Sequence, residues 1–116
     1  MINVALTQFQ KLFGLFELDA DGKIIYSRDF SKLGFSATNS ALLGRNFFDE
    51  VAPFKNVEEF RRHFTYFIKG DHATENFTFD CECGEGVVPV KVKMSQVSER
   101  EFDERKNLFI VDIRKI

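Results

Sequence analysis

Three sets of side chains in this sequence are of types that do chemistry. Cys81 and Cys83 stand two residues apart in an alternating stretch, so both thiols fall on one face of a strand, the face that also carries Phe77 and Phe79. A structural zinc ion takes about four ligands, and Cys-x-Cys with two scattered histidines, His63 and His72, does not make that set. A disulfide between cysteines so close would be a strained, tight ring. The expectation is a pair of small buried hydrophobes. His63 falls about 90° from the centre of an apolar helical stripe and one turn after Glu59, which reads as a surface histidine beside a carboxylate. His72, within Gly70-Asp71-His72, reads as a solvated turn residue. Arg61-Arg62 is a pair that an acidic partner or a phosphate could use, although adjacent helical arginines are ordinarily just solvated. No nucleophile elbow, Walker loop, dinucleotide fingerprint or His-Glu-x-x-His is present, and the acidic residues fall in turns, caps and wet faces. The chain reads as non-enzymatic.

Composition sets the frame that must hold these residues. The 116 residues suit one domain, 1–116, with a single core. Sixteen basic and eighteen acidic residues are interspersed to a net charge of −2, so nothing electrostatic favours nucleic acid or an anionic membrane. No apolar run approaches the roughly 20 residues of a membrane span, and Met1 begins no signal-peptide pattern. With two cysteines and no disulfide framework, a reducing cytoplasm is the expected compartment. Fifteen Phe and no Trp set the chain apart. Each fully buried Phe contributes about 1.5–3 kcal/mol, so the core is expected to be large and aromatic.

Periodicity places the elements. Ile2, Leu6, Phe9 and Phe13 recur at helical steps, giving an amphipathic N-terminal helix over residues 1–11. Leu12 to Leu18 and Lys23 to Ser27 read as two strands joined by the turn Asp19-Ala20-Asp21-Gly22. Short helical turns follow, capped at Asp29 or Ser31, at Thr38-Asn39-Ser40, and at Asn46. In the last, Asp49 stands three residues after Asn46, Asp49 and Glu50 bring negative charge to the first turn, and Pro53 ends it. The main helix is expected from a cap at Asn56, with Glu59 completing a capping box, to Gly70. Its apolar face is Val57, Phe60, Phe64, Phe67 and Ile68. Beyond it the period falls to two. Asn76 to Cys83 and Val88 to Ser95 form a hairpin over Gly84-Glu85-Gly86, with Pro89 marking an edge or a missing ladder bond. Ser98 to Asn107 reads as a charged loop with one aromatic, Phe102, and Leu108 to Ile113 as the closing strand.

The strings Leu18-Asp19-x-Asp21-Gly22, Gly44-x-Asn46-Phe47-Phe48 and Val51-Ala52-Pro53 resemble PAS domains, in particular the photoactive yellow protein branch. Phe77-Thr78-Phe79-Asp80 and Val90-Lys91-Val92 support the likeness. The resemblance implies an α+β fold: a five-stranded antiparallel sheet with the helices packed on one face. In that branch the residue after Ala-Pro is a cysteine holding a cinnamoyl chromophore through a thioester, whereas here it is Phe54. By ungapped alignment the chromophore's tyrosine and glutamate partners fall at Ser27 and Ser31, and its threonine and arginine neighbours at Phe35 and Ala37. No p-coumaric acid is therefore expected, and no other cofactor is assigned.

The resemblance implies a sensory or signalling domain. One expectation is a small apolar ligand held between sheet and helices, lined by Phe35, Phe47, Phe48, Phe54, Phe60, Phe64, Phe77 and Phe79. The alternative is a ligand-free interaction module, acting as a homodimer or on another signalling protein through Ile2, Val4, Leu6 and Phe9 or the outer sheet face. The chain starts with Met and ends just after its last strand, so a free-standing domain is expected to signal by contact. A third expectation, a haem sensor, rests on His63, because some PAS domains place a haem-ligating histidine on the main helix.

Overall fold

A computed structural model of the chain describes residues 14–29, 37–38, 42–52, 54–70, 72–83, 86–101 and 104–116. The N-terminal helix over 1–11, with Ile2, Val4, Leu6 and Phe9, lies outside those residues, as do the turn capped at Ser31, Phe35, Pro53 and Phe102. The sheet strands are β1 (Gly14–Leu18), β2 (Ile24–Asp29), β3 (Ala37–Thr38), β4 (Thr74–Cys83), β5 (Gly86–Glu101) and β6 (Glu104–Lys115). They lie in the spatial order β3-β2-β1-β6-β5-β4, and the pairings are antiparallel. The five long strands are those expected from the alternating patterns. The two-residue β3 adds a short edge beside β2 that no hydrophobic alternation announces.

The last strand pairs with β1, Phe16 facing Val111 and Leu18 facing Phe109, so these two strands share the centre of the sheet. A π-helical turn (Phe47–Val51) and the helix α1 (Val57–Lys69) supply the buried rings that meet the inner face. There Phe47, Phe48, Phe60, Phe64 and Phe67 join Phe16, Leu18, Val90, Val92, Met94, Val111 and Ile113 in one core. Helix and turn thus cover one side of the sheet, the layering of an α+β domain.

The opening hairpin and the π-helical turn are tied at one residue. The Asn46 Oδ1 accepts from the backbone N–H groups of Phe48 (3.0 Å) and Asp49 (3.1 Å). Its Nδ2 donates to the carbonyl of Asp21 at 2.9 Å, which anchors the hairpin turn. The reciprocal carboxylate is Glu50, whose Oε2 accepts from the Asn46 N–H at 2.7 Å. The sequence pattern pointed to Asp49 for that place. Winding in the wider π form brings position 50 under the cap instead, and Asp49 pairs with Arg61. Gly22 has φ +89°, and a Cβ there would stand 2.7 Å from a Phe48 ring carbon, so both backbone and packing demand glycine.

Two further expectations are corrected, and one about Pro89 holds. Asn56 precedes α1, but its side chain makes no cap hydrogen bond, so the expected box with Glu59 does not form. The amide is engaged elsewhere: Nδ2 donates to the Asp80 carbonyl (2.8 Å) and Oδ1 accepts from the Glu82 N–H (2.9 Å). It mimics a strand's peptide group on the outer edge of β4. Ser98 to Asn107 is not a loop, since β5 and β6 stay paired through Glu99↔Lys106 and Arg100↔Arg105 to Glu101↔Glu104. The paired arm carries a Ser98 Oγ–Asn107 Oδ1 hydrogen bond of 3.1 Å, and apolar alternation does not reveal it. Pro89 sits where β5 has only β4 beside it, because pairing with β6 begins at Val90↔Lys115.

Candidate functional site

The aromatic interior is assembled mainly by three elements. The π-helical turn contributes Phe47 and Phe48, α1 contributes Phe60 and Phe64 at four-residue spacing, and β4 contributes Phe77 and Phe79. Phe54 enters from the connection between the turn and α1. All of these are buried except the half-buried Phe77. The rings touch one another in tilted and edge-on pairs. Phe47–Phe48 centroids are 5.2 Å apart, Phe48–Phe64 5.2 Å, and Phe60–Phe79 5.2 Å. Phe16 joins from β1, 4.9 Å from Phe47, and Phe109 from β6, 5.6 Å from Phe64. Such pairs contribute about 0.5–1.5 kcal/mol each beyond the area they bury. The structure thus brings together every ligand-lining candidate among the described residues, as one ring-on-ring cluster.

Phe54 stands where the resemblance implies a chromophore-attaching cysteine. It is 3% exposed and its ring packs 5.7 Å from Phe60 and 5.9 Å from Phe79. The position that carries a thiol in the resembling branch is occupied here by a core side chain with no nucleophile. Ser27, at the position of the chromophore's tyrosine partner, is buried at 2% exposure on the inner face of β2, the one buried polar side chain among the described residues. Ala37 lies in β3.

His63 is not the surface histidine expected from its helical angle. It is half-buried and lies flat on Phe77, centroids 4.3 Å apart and planes 12° from parallel, with Phe79 edge-on at 6.0 Å. The pleat of β4 raises Phe77 toward α1, so a position on the flank of the helix becomes a contact between helix and sheet. The ring faces of His63 are engaged in packing rather than turned to Glu59. His72 is exposed, as read from its turn. Cys81 is fully buried in the core, the small-hydrophobe role that the alternation gave it. Among the described residues no cluster of His, Cys, Asp or Glu is arranged to hold a metal ion.

The two arginines separate. Arg62 is exposed, whereas Arg61 is half-buried, pairs with Asp49 and lies 5.4 Å over the Phe48 ring. It clamps α1 to the π-helical turn through charge and cation–π contact together. The sequence carried one signal for this, the acidic pair Asp49-Glu50 opposite a basic helix face. The twelve-residue separation hid it.

This architecture, an antiparallel sheet closed by its first and last strands and covered on one face by an aromatic-rich helix, is the PAS fold. Solved structures share it. The photoactive yellow protein domain of the sensor histidine kinase Ppr from Rhodospirillum centenum matches with a TM-score of 0.61 and 21% identity, over 92% of this chain and 96% of that one. The PAS domain of BvgS from Bordetella pertussis matches at 0.59 and 13% identity, over 98% and 88%. The PAS domain of an HTR-like protein from Haloarcula marismortui matches at 0.50 and 22%, over 96% and 91%. No family profile and no curated protein matches the chain. At the position where the resemblance implies a chromophore-attaching cysteine, this chain has Phe54.

Proposed function

We propose that this chain is a non-enzymatic signalling domain of the PAS type that carries no covalent chromophore and acts through contacts with another signalling protein or a second copy of itself. The burial of Phe54 against Phe60 and Phe79 supports this reading, because a core ring stands where a thioester would have to form. The ring-on-ring packing supports it further: side chains that satisfy each other at 4.9–6.2 Å stabilise the interior without a bound molecule. Among the described residues no helix is long and apolar enough to cross a membrane.

The aromatic cluster also favours a second reading, reversible binding of a small apolar ligand within it. Rings can re-pack around an apolar guest, and Ser27 supplies a polar atom on the same face. One sample separates the two. Near-ultraviolet and visible absorption, followed by native and denaturing mass on protein as purified, is expected to give a spectrum of Phe and Tyr alone and the mass of the bare polypeptide or its dimer. Extra mass lost on denaturation would replace the first reading with the second. Extra mass retained on denaturation would overturn both.

A further inference from the structure

The outer face of the sheet holds a cleft of about 300 Å³ lined by Asn76, Lys91, Val92, Lys93, Asp112 and Arg114. Register brings these residues together. Lys93 stands between Asn76 on β4 and Asp112 on β6, and Lys91 directly faces Arg114. Asp112 is largely buried and accepts two hydrogen bonds from Arg114, from Nε at 3.0 Å and from the terminal nitrogen at 3.2 Å. That fixes the guanidinium and leaves two lysines. Among the described residues neither Lys91 nor Lys93 has an ion-pair partner, and one of them lies opposite another cation, a cross-strand arrangement that destabilises a sheet. Three cations and one carboxylate line this cleft, on a chain whose net charge is −2.

We propose that this cleft is a binding site for a small dianion, a phosphate or a dicarboxylate, held by Lys91, Lys93 and Arg114, with the Asn76 amide as a neutral donor. The lining is mostly cationic, the volume suits a small ligand rather than a folded partner, and the bound anion relieves the repulsion between Lys91 and Arg114. The site is on the opposite side of the sheet from the aromatic interior and stands whether or not that interior takes a ligand.

The test is a titration of the ¹⁵N-labelled chain with sodium phosphate and, separately, with succinate, ionic strength being held constant with sodium chloride. Saturable shifts of the amides at Asn76, Lys91 to Lys93 and Asp112 to Arg114 are expected. Lys91→Ala and Lys93→Ala should each weaken binding about tenfold, the effect of losing one charge-assisted hydrogen bond. Both lysines are exposed, so unchanged spectra elsewhere verify that the variants fold. Saturation by phosphate alone, by succinate alone or by both upholds the site and names its ligand. Linear, unsaturable shifts, or saturation that survives the double variant carrying both Lys91→Ala and Lys93→Ala, overturns the small-dianion assignment.

Discussion

On one side of β5 and β6, Val90, Val92, Met94, Val111 and Ile113 lie sealed beneath α1 and the π-helical turn, each 1% exposed or less. On the other side, Lys91, Lys93, Asp112 and Arg114 of the same two strands line a charged cleft. Strand alternation alone places these two surfaces one side chain apart. They differ in what a single substitution can do. The inner face is a jigsaw of rings in mutual contact, where any loss leaves a cavity that close-packed neighbours fill only partly. The outer face is held by charge and by hydrogen bonds at its edge, so its chemistry is free to change while the fold persists. Phe54 shows the same division from the opposite direction: it stands in the interior, at the position where the resemblance implies the chromophore's point of attachment, and its ring contributes packing instead.

The largest expected effect breaks the comparison at its centre. Phe60 is fully buried and packs against Phe47, Phe48, Phe54 and Phe79. Phe60→Ala is expected to cost about 3–5 kcal/mol in urea unfolding, whereas Lys93→Ala on the outer face should stay within about 0.5 kcal/mol. A Phe60→Ala cost below about 1 kcal/mol would mean that the rings collapse readily into vacated space, which strengthens the apolar-ligand reading of the interior.

Gly22→Ala sharpens the comparison where the hairpin meets the core. The added Cβ would stand 2.7 and 2.8 Å from two carbons of the Phe48 ring, at a backbone φ of +89°. Strain and clash together are expected to destabilise by about 1–3 kcal/mol. Gly44→Ala, at a similar φ of +84° but with nothing nearer than 4.0 Å, gives the backbone share alone. Equal losses for the two, measured by the same unfolding curves, would show that Phe48 yields and that the ring cluster is looser on this side.

The legibility of the molecule in its sequence follows the same inner and outer division. The inner face was readable because it repeats a signal: Val88, Val90, Val92 and Met94 alternate, and Phe60, Phe64 and Phe67 keep helical spacing. Asn46 as a cap and Gly22 as a positive-φ residue were readable because local backbone chemistry fixes them. What could not be read depends on contacts between distant residues. His63 on Phe77, Arg61 with Asp49 and Lys91 facing Arg114 each need a register or a helix position that periodicity does not specify. The paired arm beyond Ser98 gives no signal because Glu99 to Lys106 is charged at every position except Phe102, so nothing in the pattern distinguishes strand from loop.

Asn56 is the instructive failure. Its position before α1 satisfies every rule for a helix cap, yet its amide serves the edge of β4, which the sequence brings near only through the fold. The competition is physical: a cap hydrogen bond satisfies one helix N–H, whereas the edge position satisfies a strand N–H and a carbonyl at once. Asn56→Ala should therefore cost about 1 kcal/mol, the smallest of these effects, but leave α1 helicity intact by circular dichroism. The Glu82 amide, which loses its acceptor, should exchange with solvent faster than its neighbours. Asn56→Ser discriminates the roles, because serine caps helices well but cannot present a donor and an acceptor in the geometry of a peptide. Restored stability in Asn56→Ser, with Glu82 still exchanging fast, would show that the helix end and not the sheet edge sets the energetics here. Loss in both variants, together with self-association that rises with concentration, would identify the Asn56 amide as the group that keeps this edge of the sheet from pairing with a second chain.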